Sequence, residues 1–223
     1  MAHVIQTIRR VPRELVERYR GLSSATVHEA AGARGALSSR IKPVFHAMKV
    51  CGSAVTVKVR PGDNLILHKA IYVAQAGDVI VADAGGFREA GPWGEIMTVA
   101  ALARGIAGLI IDGSVRDAEA VDALGFPVFS CGLCIKGTEK ISLGLINHPL
   151  NLDNVTIHPG DLIIGDCDGI VVVPREEAED VLRKSLARED KEKTIKERLR
   201  QGESTLDIYG FGEILKQRGI TEE

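Results

Sequence analysis

Three observations predict an α/β fold, with parallel strands joined by crossover helices in one compact sheet. The stretch Gly91–Lys140 switches twice between helical and strand periodicity, at lengths that suit strand–helix–strand units. Glycine is abundant at 24 residues and aromatic residues make up only 4%, which favours tight turns and small apolar side chains over an aromatic-rich sandwich. Gly-Asp followed by an apolar run occurs twice, as GDVIVAD (77–83) and GDLIIGDCDGIVVVP (160–174). This marks two similar turn–strand units around a barrel-like sheet.

Residues 10–21 read as a short helix started by Pro12 and ended at Gly21. SSATVHEAAG reads as a capped helix, with Ser23 or Ser24 as N-cap and Gly32 as stop. His28 on that helix reads as packed or solvated. VCGSAVTVKV (50–59) is a strand that runs into the turn RPGDN (60–64), and NLILHKAIYVAQ is the helix before GDVIVAD. GPWGEIMTVAALARG is a helix entered through Gly-Pro-x-Gly and stopped at Gly105. IAGLIID is a strand, SVRDAEAVDALG a helix and FPVFS a strand.

From Pro174 the texture changes. Two early glutamates suit the positive end of a helix dipole, and Ala178, Val181, Leu182 and Leu186 form an apolar stripe. The stripe lapses through 187–194 and resumes at Ile195 and Leu199. A helix from Arg175 to Gln201 would be roughly 40 Å long. Its far end is expected to leave its own core and pack on a neighbouring subunit, although composition alone fits a solvated, frayed helix equally well. TLDIYGF (205–211) suits a docking tail. The chain thus divides into an α/β part, 1–174, and a helical extension of the same domain, 175–223.

Hydrophobic content of 45%, charged content of 26% and a net charge of -2 are ordinary for a soluble globular protein. They offer no bulk attraction for nucleic acid. No apolar run approaches the ~18 residues that span a bilayer, and the N-terminus lacks the apolar core of a signal peptide. A cytoplasmic protein with reduced thiols is the expectation. Cys131-Gly-Leu-Cys134 lacks the second pair that a zinc site needs, and it does not open a helix as a thioredoxin-type pair does. There is no GxGxxG fingerprint and no Walker loop. Gly85-Gly86, Gly91 and Gly94 instead let backbone amides approach a small anion where the helix of Glu95 begins.

The charges at the helix–strand joins carry the chemistry. Arg116 and Asp117 fall where a strand gives way to a helix, and 20 residues separate Glu95 from Arg116. Ligand crevices in open α/β sheets lie at the carboxyl ends of strands, beside helix N-termini. An aspartate there offers a hard oxygen to Mg²⁺ or Mn²⁺, and an arginine forks onto a substrate carboxylate.

Within LSSATVHEAAG, CGSAVTV, RPGDN, GDVIVAD, WGEIMTVAALARGIAGLIIDGSVRDAEAV, FPVFS, KGTEK and PGDLIIGDCDGIVVVP, the chain resembles the RraA-like family. It is similar in particular to the class II pyruvate aldolases acting on 4-hydroxy-4-methyl-2-oxoglutarate and 4-carboxy-4-hydroxy-2-oxoadipate. The resemblance implies a swivelling βαβ-type (phosphohistidine-domain-like) fold, assembled as a homotrimer or homohexamer with interfacial active sites. It implies that Asp117 ligates Mg²⁺ or Mn²⁺ and that Arg116 binds the pyruvyl group and stabilises its enolate oxygen. Backbone amides at Gly94, Glu95, Ile96 and Met97 would hold the pyruvate carboxylate. Glu192 falls where the family places a glutamate that reaches a neighbour's site, and Thr138 and Lys140 fall at distal substrate contacts.

One position departs from the pattern: the aldolases carry Asp where this chain has Glu95, which bears on substrate choice and rate. The activity implied is cleavage of a 4-hydroxy-2-oxo acid to pyruvate and a second 2-oxo acid, with oxaloacetate decarboxylation on the side. The alternatives are a main role as oxaloacetate or 2-oxo acid decarboxylase, and a non-catalytic regulator of ribonuclease E. Asp117 argues against the regulator, which lacks the metal ligand. The absence of an S-adenosylmethionine signature argues against the methyltransferase label that some members carry.

Overall fold

The computed structural model describes residues 3–220. Its strands are β1 (His3–Val4), β2 (Lys42–Pro43), β3 (Val50–Lys58), β4 (Asp78–Phe87), β5 (Gly108–Val115), β6 (Val128–Ser130), β7 (Gly132–Leu133), β8 (Leu145–Ile146), β9 (Leu150–Leu152), β10 (Val155–Ile157), β11 (Leu162–Gly165) and β12 (Ile170–Val173). Its helices are α1 (Arg13–Tyr19), α2 (Ser24–Ala30), α3 (Leu65–Val73), α4 (Glu95–Ala103), α5 (Ala118–Ala123), α6 (Ala178–Arg200), α7 (Thr205–Tyr209) and α8 (Phe211–Gln217).

β3, β4, β5 and β6 run parallel in that order at the centre of a ten-stranded sheet. α3, α4 and α5 are the three crossovers between them. Alternate side chains of the strands face opposite ways, and the sequence uses this fully. Val55, Ile80, Leu109 and Ile111 pack under these helices, against Leu67, Ile71, Met97 and Val121. Val79, Val81 and Ile110 point to the other face and meet Phe129, Leu152 and Ile163. The β11–β12 hairpin is sandwiched in the same manner. Ile163 and Val172 face that second core, while Leu162, Ile164, Val171 and Val173 meet Tyr19, Val27, Val181 and Leu182 beneath α1, α2 and α6.

The two Gly-Asp turns are structurally equivalent. In each the glycine has φ 89°, in the left-handed region. In the first, Asp78 N–H donates to Gln75 O at 3.0 Å and its carboxylate accepts Gln75 N–H at 2.7 Å. In the second, Asp161 N–H donates to His158 O at 3.0 Å and its carboxylate accepts His158 N–H at 2.8 Å. The strands they launch, β4 and β11, flank β3 on opposite edges, β4 parallel and β11 antiparallel.

Three expectations need correction. The run 160–174 is not one strand but the hairpin β11–β12, because Asp166 turns the chain there and its carboxylate accepts the N–H and hydroxyl of Ser24. The helix expected from Ser114 begins only at Ala118, because Ser114 and Val115 continue β5 by pairing with β7. Leu186 leaves the apolar stripe and is 37% exposed. In α6 the buried residues are Ala178, Val181, Leu182 and Ser185, all in its first third. No residue of α7 or α8 is buried, although Tyr209 stacks on Phe211 with ring centroids 5.2 Å apart. Among the described residues no helix is long and apolar enough to cross a membrane.

Candidate active site

β5 ends at Val115, and the chain turns within two residues into α5. Asp117 occupies the N-cap with φ 55° and ψ 38°. An N-cap residue ordinarily sits in the β region and caps its own helix. The left-handed conformation costs on the order of 1 kcal/mol, and among non-glycine residues short polar side chains tolerate it best. The turn aims the carboxylate at a different helix: Oδ2 accepts the N–H of Glu95, the first residue of α4, at 3.1 Å. Nε of Arg116 lies 3.6 Å from the same oxygen. Both side chains remain open to solvent, at 44% and 41% exposure.

The start of α4 is held from below. Arg116 N–H donates to Trp93 O at 2.9 Å, which joins the two turns through the backbone. Trp93 is fully buried, its Nε1 donates to Thr98 Oγ1 at 2.9 Å, and its ring stacks on Phe126 at 6.0 Å. Gly94 is required for space alone, since its φ of -157° suits any residue. A Cβ there would lie 2.2 Å from Asp117 Oδ2 and 3.0 Å from Arg116 Cγ. The first α4 amide paired to a carbonyl at the helix start is Thr98, bonded to Gly94 O at 3.0 Å. The amides of Ile96 and Met97 therefore remain for an external acceptor, with the positive end of the helix dipole behind them. The Ile96 side chain is 77% exposed, whereas Met97 is buried and its sulfur meets Asn64 Nδ2 at 3.6 Å.

This corner can bind an anion at the α4 amides and Arg116, and a cation at the free oxygen of Asp117. The donor placed here is a hard carboxylate oxygen of Asp117, and among the described residues no group of three or more His, Cys, Asp or Glu side chains converges at this corner. Such a donor fits Mg²⁺ or Mn²⁺ retaining several waters, and does not fit zinc. A denser acidic group, Asp166–Cys167–Asp168, lies elsewhere. Asp166 is already committed there to Ser24 and to the N–H of Asp168, so that group is a turn and a helix anchor.

The other expected residues divide. Thr138 is half-buried and Lys140 exposed, on an irregular segment tied to the corner by Gly91 N–H to Lys136 O and Cys134 N–H to Val115 O, each 2.9 Å. Glu192 is not brought to the corner within one chain. Its carboxylate pairs with Arg188 at 3.0 Å and Lys196 at 3.8 Å, and Arg188 reaches Glu29 on α2. Sequence reasoning passed over Trp93, Asp63 and Asn64. Asn64 Nδ2 donates to Pro92 O at 3.0 Å, which braces the loop before α4. The Asp-Asn pair just ahead of an apolar run was the available signal.

The thiols stay apart, because Cys131 and Cys134 flank the extended β7. Cys131 donates to Asp112 Oδ1 at 3.3 Å, an oxygen also held by Arg40 Nη2 at 2.7 Å. Burial pushes the Cys51 thiol up to about 12 and raises that of Cys131. A thiol reagent at neutral pH is therefore expected to modify Cys134 and Cys167 while Cys51 and Cys131 stay intact until denaturation. Peptide mapping checks this, and equal reaction at all four sites would contradict it.

The chain as a whole is similar in sequence and fold to known proteins. The family model described as RraA-like, Aldolase/RraA, matches residues 24–172. A relative from Halalkalibacterium halodurans, provisionally named 4-hydroxy-4-methyl-2-oxoglutarate aldolase, is 40% identical over 172 residues, covering 77% of this chain and 82% of that protein. An uncharacterized protein from Pseudomonas syringae pv. tomato superposes with a TM-score of 0.78 at 30% identity, covering 88% of this chain and 97% of the other. RraAS2 of Streptomyces coelicolor, described as an unusual member of the RNase ES inhibitor RraA protein family, gives 0.75 at 28% identity, covering 85% and 99%. In sequence and fold alike, the chain belongs to the RraA-like (Aldolase/RraA) family.

Proposed function

We propose that this protein is a divalent-metal-dependent aldolase, a carbon–carbon lyase that cleaves 4-hydroxy-2-oxo acids such as 4-hydroxy-4-methyl-2-oxoglutarate or 4-carboxy-4-hydroxy-2-oxoadipate to pyruvate and a second 2-oxo acid. The observation that carries this reading is the left-handed Asp117, whose carboxylate is aimed at the start of α4 with Arg116 beside it. A Mg²⁺ or Mn²⁺ ion held by Asp117 would supply positive charge that favours the developing enolate.

The chain's own groups do the rest. The α4 amides at Ile96 and Met97 hold the substrate carboxylate. The Arg116 guanidinium donates to the 2-oxo oxygen as it gains enolate charge, a stabilisation preorganised by the Trp93 bond to the Arg116 backbone. Glu95, with Glu192 of a neighbouring subunit, orients the base that removes the 4-hydroxyl proton. As that proton leaves, C4 becomes a carbonyl and the C3–C4 electron pair passes into the enolate. Protonation at C3 then gives pyruvate. Loss of carbon dioxide from oxaloacetate reaches the same enolate and is the expected side activity. Thr138 and Lys140 meet the distal part of the substrate.

The part of α6 beyond Ser185, together with α7 and α8, packs on a neighbouring copy in a trimer or hexamer. This gives Leu206, Phe211 and Ile214 the burial they lack in one chain. The resulting enzyme is cytoplasmic, with no nucleic-acid or membrane partner.

The test is pyruvate release from the two hydroxy acids and from oxaloacetate, with Mg²⁺, with Mn²⁺ and with EDTA. Metal-dependent release with the higher kcat/KM on a hydroxy acid supports the aldolase. A higher value on oxaloacetate would make decarboxylation the main reaction. No turnover of any of the three would favour a regulator of the ribonuclease-inhibitor kind.

A further inference from the structure

The segment between β7 and β8 is irregular and weakly anchored by its side chains. Ile135 is 94% exposed, and Ile141 and Leu143 are each 70% exposed. It is held mainly through its backbone, and at its far end the holders are Asp63, which takes two of its amides, and Arg60, whose Nη1 donates to Ser142 Oγ at 2.9 Å. The Asp63 carboxylate is 2% exposed, and no step proposed above uses it. Oδ1 accepts Leu65 N–H at 2.8 Å, a local turn bond at the start of α3. Oδ2 accepts two consecutive amides from far along the chain, Ile141 at 2.9 Å and Ser142 at 2.8 Å.

The same turn adds Glu139 N–H to Gly62 O at 2.9 Å and Asn64 N–H to Glu139 O at 3.1 Å. Asn64 braces Pro92 just ahead of α4. Asp63 therefore fixes the 136–142 segment, while the α4 corner is braced by its neighbour Asn64. Bonds from amides to an ionised carboxylate are about twice as strong as neutral ones, so a buried charge suits a segment whose apolar side chains are largely exposed.

We propose that Asp63 is a positioning residue that sets the reach of the 136–142 segment over the distal half of the substrate and so governs selection among 4-hydroxy-2-oxo acids. The proposal rests on the aldolase reading. Asp63→Asn keeps the size but cannot accept with both oxygens. Asp63→Ser keeps a local turn acceptor for Leu65 but cannot reach the loop amides, so it serves if the first variant does not fold.

Amide hydrogen exchange at Ile141 and Ser142 is expected to accelerate at least about tenfold. KM for 4-carboxy-4-hydroxy-2-oxoadipate should rise by about tenfold, with its kcat and the oxaloacetate kcat/KM held within about twofold. Unchanged exchange in a folded variant would overturn the clamp. Equal loss on both substrates, or an unchanged KM despite faster exchange, would overturn the selective role. Should the wild-type protein turn over no hydroxy acid, the aldolase reading fails and selection with it, while exchange still decides the clamp.

Discussion

Replacing Asp117 with asparagine is expected to lower metal-dependent pyruvate release by roughly a thousandfold while leaving the fold intact. The side chain keeps its shape, asparagine tolerates the left-handed turn, and a carbonyl oxygen still accepts the Glu95 N–H bonded at 3.1 Å in the native chain. What disappears is the negative charge proposed to hold the cation. Charge stabilisation of about 4 kcal/mol in the transition state corresponds to about three decades in rate. Mn²⁺ titration should show the loss of binding directly, and a melting temperature within a few degrees of wild type would show that nothing else failed. A variant that keeps both metal affinity and rate would mean the cation sits elsewhere.

Gly94→Ala should be nearly as damaging, for a steric reason. The backbone at φ -157° accepts alanine without strain, so the whole effect comes from the methyl group. It would arrive 2.2 Å from Asp117 Oδ2 and 3.0 Å from Arg116 Cγ, far inside contact distance. The carboxylate must swing off the Glu95 amide and the guanidinium must follow. An overpacked site of this kind costs about 1–3 kcal/mol of stability. The expected loss in kcat/KM is larger, on the order of a hundredfold, because the proposed metal ligand Asp117 and the proposed enolate donor Arg116 are displaced together. Steady-state kinetics beside thermal melts check this. Full activity would show that the contact between α4 and the Arg116–Asp117 turn is dispensable.

Much of the fold was legible because helix and strand periods alternate cleanly between 50 and 130, with Gly62, Gly77 and Gly105 marking turns or stops at positive φ. The errors have physical causes. Ser114 followed three residues later by Asp117 has the form of a capping box, a local helix-start signal that the strand pairing overrides. In the structure Ser114 is consumed by pairing with β7, and Asp117 caps nothing of its own. The 160–174 run hid a hairpin because both halves are apolar, and the anchor of its turn is Ser24, far away in sequence. The corner of Glu95, Arg116 and Asp117 could be found because charges at strand ends stand out against an apolar background. Asp63 could not, because its meaning lies in two amides that sequence does not place beside it. Glu192 was named by resemblance, and within one chain its partners are neighbours on α6.

The central claim is that the α4 amides, Arg116 and a cation at Asp117 form a site that stabilises the enolate of pyruvate. Exchange of the pyruvate methyl protons with D₂O, followed by NMR, tests this without any aldol substrate. Exchange should be fast with Mg²⁺ or Mn²⁺, fall to background with EDTA, and stay at background in Asp117→Asn at any metal concentration. Exchange that ignores EDTA and the Asp117 substitution, or no exchange with metal present, would contradict it.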